Sequence, residues 1–362
     1  MFFKRDTAAQ NTRIRAGGLI AAMCLFSLAG APVAYAGEPF YQSRSYVFGT
    51  LATVTVSGEA ESSAREAIAA VFADFDRLHW MLHAWKPGEL TTINQAIAAG
   101  KARIPVNREI AAVIRDSTLI SGQSGGLFNP AIGRLVGLWG FHKDRPAGTA
   151  PDTDDIARLV NANPRMRDLR IDDGTLTSRN PAVQLDFGGY AKGYALDRAA
   201  GILRRRGVKN ALINLGGNLM ALGRKGSASW RVGLQNPRGP GVLATLELRD
   251  GEAIGTSGDY QRFYIVNGRR VAHIIDPRTG YPVPDVQAVT VLISGGKRAG
   301  VLSDAMSKPI FIEGVSGWRA AAARLAIGRV LLVDDRGIVH LTRAMRKRLI
   351  FPDSTLSLSI QD

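Results

Sequence analysis

Residues 255–283 read GTSGDYQRFYIVNGRRVAHIIDPRTGYPV, and they gather hydroxyls, a histidine, carboxylates and arginines around two glycine-containing turns. The polar residues 256–258 predict a short turn whose backbone N–H groups point at an anion. A second, rigid turn is predicted at 276–280, where proline and glycine follow an aspartate. His273 lies between the turns on an apolar run, 271–275, that predicts a strand. Such a collection is typical of a functional site, although hairpin turns and a packing histidine would also explain it.

A second group of glycines lies upstream, in the segment 185–198, which reads LDFGGYAKGYALDR. The pattern predicts a buried strand that runs through two glycines into a helix, with Lys192 in the first turn of that helix. A helix N-terminus and a nearby lysine both favour a phosphate group. The spacing matches neither G-x-G-x-x-G nor the P-loop, so neither nucleotide motif is assigned. A third glycine turn, at 214–218 after a predicted strand at 211–213, is explained equally well by a hairpin.

Together these segments resemble the ApbE family, the FAD-dependent protein FMN transferases. Members carry the ordered blocks D-x-G-G-x-A-K-G-Y-x-x-D, N-L-G-G, T-S-G-D-Y, H-I-I-D-P-x-T-G-x-P and A-D-A. The corresponding blocks of this chain are Asp186–Asp197, Asn214–Gly217, Thr256–Tyr260, His273–Pro282 and Ser303-Asp304-Ala305. Further similarity lies at Phe48-Gly49-Thr50, at Glu89-Leu90 with Asn94, and at Gly126–Phe141. The resemblance implies a two-lobed α+β fold with mixed or antiparallel sheets, flanking helices and flavin bound between the lobes.

The resemblance also implies a reaction. FAD is cleaved at its pyrophosphate, AMP is released, and FMN is attached through a phosphoester to a threonine hydroxyl of a target protein. Such chemistry needs neutralisation of phosphate charge, a fixed acceptor and a group that takes the hydroxyl proton. Lys192 and the 256–258 turn fit the first need, and His273 fits the last as a general base. His273 and Asp304 are the predicted catalytic residues.

The family roles imply a set of FAD contacts. In this chain they fall on Phe48, Trp85, Leu127, Phe128, Asn129, Asp186, Lys192, Thr256, Ser257, Gly258, His273 and Ile274. Trp85 stands where family members carry an aromatic that stacks on the isoalloxazine ring, although the segment 85–94 is one residue shorter than usual. A core aromatic at the end of a helix is an equally good interpretation of Trp85.

The predicted metal site departs from the family pattern. The resemblance implies Mg²⁺ held by the main-chain carbonyl of Gly189, by Asp304, and by a threonine whose position is taken here by Lys308. An ammonium has only donors and cannot ligate a cation. Lys308 and Asp304 are four residues apart, so a helix would pair them. Pro309 predicts non-helical geometry at Lys308. Two further family aspartates appear as asparagines, at Asn129 and Asn218.

Three hypotheses remain open at this point. The chain is an active FMN transferase with an atypical metal site, or a non-catalytic periplasmic flavin-binding protein in which Lys308 supplies the charge of the metal, or an FAD pyrophosphatase that uses water as the acceptor. Tight, chelator-insensitive binding of FAD that is not cleaved would indicate the second hypothesis, and release of free FMN would indicate the third. Covalent flavin on a partner would indicate the first.

The first 36 residues predict a secretory signal peptide. Basic residues precede an apolar run at 16–31, and Ala34-Tyr35-Ala36 forms a small-x-small cleavage site. Residues 37–362 would then form the ApbE-like FAD-binding domain in the periplasm. The one cysteine of the chain, Cys24, lies inside the apolar run, so disulfides are not expected to stabilise the mature protein. No later apolar stretch has membrane-spanning length.

Composition and charge limit the classes of partner that the protein is expected to bind. The 362 residues are 46% hydrophobic and 21% charged, which is an ordinary globular balance. The formal net charge is +15, and loss of the signal peptide lowers it to about +12. The basic residues are dispersed, without aromatic interleaving or a nucleic-acid motif, so nucleic-acid binding is disfavoured. The expected partners are FAD and an exported FMN-binding protein of an electron-transport system, with the accessory system of nitrous-oxide reductase as one example.

Periodicity predicts the main elements. A helix is expected at 63–84, with a Ser63-x-x-Glu66 capping box and one apolar face, and a second is expected after Asn107. The segment 142–168 predicts a surface connection with a short helix near 155–160. Strands are predicted at 230–234, 243–248, 263–266, 288–293 and 330–333. Runs of consecutive strands favour α+β over a doubly wound parallel sheet.

Overall fold

The computed structural model describes residues 39–143, 149–266 and 268–361. The predicted signal peptide, residues 1–36, lies outside these ranges. Within them, no helix combines the length and the apolar character that a membrane crossing requires.

Helices and short helical segments are spread along the whole described chain. They are α1 (Glu61–Met81), α2 (Glu89–Ala98), α3 (Arg108–Gln123), α4 (Gly133–Leu138), α5 (Thr153–Asn161), α6 (Ala191–Arg205), α7 (Ala299–Arg324) and α8 (Arg343–Arg346). The strands are β1 (Phe40–Val47), β2 (Thr50–Ser57), β3 (Ile104–Pro105), β4 (Leu169–Asp172), β5 (Thr175–Ser178), β6 (Asn210–Leu215), β7 (Asn218–Leu222), β8 (Trp230–Gln235), β9 (Val242–Leu248), β10 (Ala253–Gly258), β11 (Phe263–Val266), β12 (Arg269–Ala272), β13 (Val286–Ile293), β14 (Val330–Asp334), β15 (Val339–Thr342), β16 (Leu349–Ile350) and β17 (Leu358–Gln361).

A nine-stranded sheet organises the molecule, in the order β1-β2-β6-β7-β10-β13-β14-β15-β17. Its neighbouring strands are antiparallel except for the β15–β17 pair, which is parallel. The helices α1, α6 and α7 pack against this sheet. The α+β fold with a mixed sheet and flanking helices is therefore confirmed.

Alternation along the strands explains how the sheet is covered on both faces. On β6, Ala211 and Ile213 join the large core that also includes α1 and α6, while Leu212 packs against a second core. The second core lies between the nine-stranded sheet and a small sheet of β8, β9 and β16. Because successive side chains of a strand point to opposite faces, one strand serves both cores.

A third apolar cluster, smaller than the other two, supports the loop after β12. Trp139, Phe141, Tyr264 and Ile275 belong to it. The Trp139 indole donates to the main-chain oxygen of Gly280 over 2.8 Å, and the Tyr264 hydroxyl donates to the main-chain oxygen of Trp139 over 3.1 Å. The first bond anchors the predicted turn at 276–280 to the C-terminal end of α4, and the second joins β11 to the same residue.

Most of the predicted elements are confirmed. The five predicted strands correspond to β8, β9, β11, β13 and β14, and α5 matches the predicted short helix. The side-chain oxygen of Asn107 accepts a bond from the Ile110 amide at the start of α3. The capping box is wrong, because α1 begins at Glu61 and Ser63 already lies in its first turn. The helix α2 was not predicted.

Three predictions about the backbone of the site are also wrong. Residues 256–258 are the end of β10, and their ladder with β13 runs to the pair Gly258 and Ala288. The strand predicted at 271–275 ends at Ala272, so His273 lies in a loop. The segment before α6 is also not a strand, apart from an isolated bridge at Gln184. Local patterns miss these differences because the ladder partners are distant in sequence.

Candidate active site

The start of α6 lies directly against the first turns of α7. A side chain at Gly193 would collide with the main-chain oxygen of Gly300 and would come within 2.7 Å of Cβ of Asp304. Only glycine permits this approach, and the Gly193 amide uses it to donate to Oδ2 of Asp304 over 2.9 Å. Asp304 is thereby buried between the two helices.

Lys308 occupies the other side of the same carboxylate. Its ammonium donates to Oδ1 of Asp304 and, over 2.8 Å, to the main-chain oxygen of Asp304. A Cβ atom placed on Gly189 would lie 3.3 Å from Cε of Lys308 and 3.7 Å from Cε2 of Phe128. The fold therefore gathers the three predicted metal residues, Gly189, Asp304 and Lys308, at one point.

This arrangement does not fit a divalent cation. Both carboxylate oxygens of Asp304 accept hydrogen bonds, and the third position offers an ammonium instead of an oxygen ligand. In the described ranges, no group of three or more histidine, cysteine, aspartate or glutamate side chains could hold a metal ion. The predicted pairing of Asp304 with Lys308 is confirmed. The predicted non-helical geometry is wrong, because α7 continues through Pro309 and deviates only at Gly314.

The hydroxyls of β10 are held inside the protein. Oγ of Ser257 lies 2.7 Å from Oγ of Ser307, and Oγ1 of Thr256 lies 3.0 Å from Oγ1 of Thr290. The Thr256 amide donates to Oδ1 of Asn218 over 3.1 Å. The predicted anion-binding turn is therefore wrong, since these residues form a strand packed on α7. FAD contact by residues 256–258 remains a prediction.

Lys192 and Arg262 add further positive charge near the Asp304–Lys308 pair. Burial lowers the pKa of Lys192, and Asp304 opposes that shift. The charges of Lys308 and Arg262 lower the pKa of Lys192 further, which shows that these side chains act on one another electrostatically. An anion between them would relieve the repulsion, so the site favours a ligand that carries negative charge.

His273 lies beside these cations as a neutral imidazole. Its Nδ1 atom is 3.1 Å from the main-chain oxygen of Arg262, and its amide donates to the same oxygen over 3.2 Å. A carbonyl oxygen only accepts, so Nδ1 carries the proton and Nε2 keeps a lone pair. Burial, and then the charge of Lys192, lowers the pKa of His273 from 6.5 to about 3. The ring is therefore neutral at pH 7 with Nε2 as its acceptor atom, and an anion bound between the cations would raise its pKa towards the range that a general base needs.

Trp85 is joined to the start of the D-x-G-G segment. Its indole Nε1 donates to Oδ2 of Asp186 over 3.0 Å, and Oδ1 of Asp186 accepts from the Gly188 amide over 2.7 Å. The Trp85 ring stacks on His142 with centroids 4.5 Å apart and planes 25° apart. The indole is half-buried and hydrogen-bonded, so Trp85 is not a simple core residue. Because the ring stacks on His142, it is not fully exposed for stacking on a ligand either.

The remaining predicted contacts are distributed around this centre. Phe48 has a positive φ of 53° in the turn between β1 and β2 and packs on Phe75 and His79. Leu127 and Ile274 are buried. The side-chain Nδ2 of Asn129 donates to the main-chain oxygen of Pro164, and its Oδ1 accepts from the Ala131 amide, so both polar atoms of this side chain are already bonded within the protein.

A scan for families matches the ApbE family over residues 48–331. The chain belongs to the ApbE family. A relative from Rhodobacter capsulatus named FAD:protein FMN transferase is 41% identical over 332 residues, which are 92% of this chain and 62% of the relative. The chain thus spans less than two thirds of that relative's length. A Klebsiella pneumoniae protein of the same name is 34% identical over 69% of this chain and 80% of its own length.

Solved structures of ApbE proteins share the fold. The ApbE protein of Thermotoga maritima superposes with a TM-score of 0.77 at 27% identity, covering 86% of this chain and 99% of that chain. The apo form of the Pseudomonas stutzeri flavinyl transferase ApbE gives a TM-score of 0.74 at 26% identity, over 87% and 98% of the two chains. These likenesses extend across nearly all of both structures.

Arg262 is the site residue of this ApbE chain that the sequence did not single out. It follows the T-S-G-D-Y block by two positions, and its guanidinium donates to the main-chain oxygen of Phe141 over 2.7 Å. A side chain at Gly49 would lie 3.5 Å from the same guanidinium. The only local signal was a basic residue next to a predicted block. The sequence does not reveal that Arg262 holds His273 through its backbone and faces Lys192 through its charge.

Proposed function

We propose that this chain is an exported flavin transferase that cleaves FAD and attaches FMN to a threonine of a partner redox protein. The single observation that carries the proposal is that a neutral imidazole with Nε2 as its acceptor atom, His273, lies within the electrostatic reach of the cations Lys192, Arg262 and Lys308. Membership of the ApbE family and relatives named FAD:protein FMN transferase support the choice of substrate.

The proposed chemistry divides between these groups. The cations hold the pyrophosphate of FAD and neutralise the charge that develops on it. Nε2 of His273 takes the proton from the threonine hydroxyl as its oxygen attacks the phosphorus of the FMN half. A new phosphoester bond forms, the bridging P–O bond breaks, and AMP leaves. Because the residues at the family's metal position do not fit Mg²⁺, the charge is assigned to this chain's own side chains.

The proposed setting is the periplasm, and the proposed acceptor is an exported FMN-binding protein of an electron-transport system. The signal-peptide pattern at residues 1–36 supports export. Cell fractionation with N-terminal sequencing of the mature protein tests this part. A protein that keeps its first 36 residues in the cytoplasm would contradict it.

One experiment tests the activity. The purified protein is incubated with FAD and an exported FMN-binding domain, and a threonine-to-alanine variant of the acceptor serves as control. We expect the acceptor, but not its variant, to gain the mass of FMN less one water and to become fluorescent after denaturation, with AMP as the second product. Release of free FMN and AMP would identify a pyrophosphatase instead. FAD that stays bound and uncleaved would identify a flavin-binding protein.

A further inference from the structure

The side chain of Lys308 fills the point where the ApbE resemblance would put a metal ion. Its ammonium contacts Asp304, and its aliphatic carbons run past Gly189. Asp304 is fully buried, whereas the Lys308 side chain keeps 17% of its surface exposed. The lysine therefore stands between a buried carboxylate and the open side of the site.

The hydrogen bonds of Lys308 leave capacity for a ligand. Two of its bonds go to Asp304, one to the side chain and one to the main chain. An ammonium carries three donors, so a third N–H is available to an anion on the open side. Lysine commonly binds phosphate in this way, as a point charge.

The charges around the pair oppose a competing cation. Asp304 is neutralised by Lys308, and the nearby Lys192 and Arg262 remain as positive charges that act on each other. A divalent ion at this point would face ammonium groups and would find both carboxylate oxygens of Asp304 already accepting hydrogen bonds. A phosphate group would instead meet several donors at once.

We propose that the Lys308 ammonium is a built-in replacement for a divalent cation, so that this site binds the diphosphate of FAD without metal. The inference rests on the proposed FAD site and concerns how that site holds its substrate. It predicts that a chelator leaves FAD binding intact, and that the lysine, not an added ion, distinguishes FAD from a flavin without phosphates.

The test is a fluorescence titration of the mature protein with FAD, with riboflavin as the phosphate-free probe, in excess EDTA and in Mg²⁺. The variants are Lys308→Thr and the control Lys297→Met, which removes an exposed lysine just before α7. We expect wild type and the control to bind FAD equally well, within about twofold, in both conditions. Lys308→Thr should lose about 10- to 100-fold in FAD affinity in EDTA, the worth of one charge-assisted hydrogen bond, and should regain it in Mg²⁺. Riboflavin affinity should be the same for all three proteins.

Chelator sensitivity overturns the inference. If EDTA weakens FAD binding by wild type tenfold or more, or if Lys308→Thr binds FAD in EDTA as tightly as wild type, Lys308 does not replace a metal. The wild-type arm is decisive even where Lys308→Thr fails to fold. The pair Asp304→Asn with Lys308→Met removes both charges together and should lose FAD affinity in EDTA and in Mg²⁺ alike; wild-type affinity would also overturn the inference. Absence of FAD binding by wild type in both conditions would remove the proposed function itself.

Discussion

The Nδ1 atom of His273 lies 3.1 Å from the main-chain oxygen of Arg262, across the hairpin formed by β11 and β12. This contact fixes the tautomer of the imidazole, and it leaves Nε2 as the atom that can accept a proton. The side chain of the same arginine adds positive charge to the surroundings of Lys192. One residue therefore orients the imidazole through its backbone and adds positive charge to the site through its guanidinium.

Replacement of the base should separate binding from transfer. We expect His273→Gln to keep FAD affinity within a few-fold and to lower the single-turnover rate of flavin transfer by about 100-fold or more, the usual scale for a general base. Flavin fluorescence measures the binding and in-gel fluorescence of the acceptor measures the rate. If the variant lowers only the melting temperature, and its folded fraction transfers flavin at the normal rate, then His273 is a packing residue.

The pH dependence follows from the depressed pKa of His273, which is about 3 in the folded protein against 6.5 for a free imidazole. In the protein without ligand the imidazole therefore stays neutral from pH 7 down to pH 5. Because the unfolded chain binds the proton more readily, His273 lowers the free energy of unfolding as the pH falls from 6.5 towards 3. Urea unfolding of wild type and His273→Gln at pH 5 and pH 7.5 measures this. An equal pH dependence of the two proteins would contradict it.

Lys192 should act on the phosphates of FAD. We expect Lys192→Ala to weaken FAD by about tenfold or more and to leave riboflavin unchanged, because a lysine at a helix start contacts phosphate rather than the ring. The control is Lys101→Ala, at an exposed position after α2, which should change neither affinity. Parallel titrations with the two flavins provide the comparison. Equal losses for both ligands would locate Lys192 away from the phosphates.

The close contact of α6 with α7 should tolerate no side chain at Gly193. Gly193→Ala places a methyl group against the main-chain oxygen of Gly300, so we expect the free energy of unfolding to fall by about 1 to 3 kcal/mol, with weaker FAD binding. Gly201→Ala, on the same helix, is the matched control, since its new Cβ meets only the flexible end of Arg205. That variant should change stability by no more than about 1 kcal/mol. Denaturant unfolding compares the two, and equal stabilities would show that the helices can separate without cost.

The indole of Trp85 should contribute through its bond to Asp186. Trp85→Phe keeps an aromatic ring but removes the donor, so we expect a loss of about 1 to 3 kcal/mol in the free energy of unfolding and weaker FAD binding. Trp80→Phe is the control, because Trp80 is 52% exposed. It should shift stability by no more than about 0.5 kcal/mol. If the two variants have the same free energy of unfolding, the hydrogen bond from Trp85 to Asp186 makes no measurable contribution to stability.

Local sequence patterns correctly predicted the elements whose formation depends on residues close in the sequence. The apolar face of α1, with Ile68, Val71 and Phe75 buried, follows from helical spacing alone, and the Asn107 cap acts on an amide three residues away. The predicted capping box at Ser63 was wrong, because the N-cap of α1 is Ala60, which makes no side-chain cap hydrogen bond. The prediction that Pro309 interrupts helical geometry was wrong, because α7 continues through this residue while it packs against β10 and β13.

The sequence by itself indicated most of the residues that the fold brings together at the candidate site, since the glycine-rich blocks, His273, Asp304 and Lys308 are recognisable from their order and spacing, whereas Arg262 is not. Only the tertiary structure decided how they act. Residues 256–258 became a strand because β13 pairs with them, and Arg262 joined the site because a hairpin returns His273 to its carbonyl oxygen. Asp304 is committed to Gly193 and Lys308 because α6 and α7 meet without side chains between them. Spacing along the chain encodes local structure, whereas charge pairing and strand pairing depend on residues that only the fold brings together.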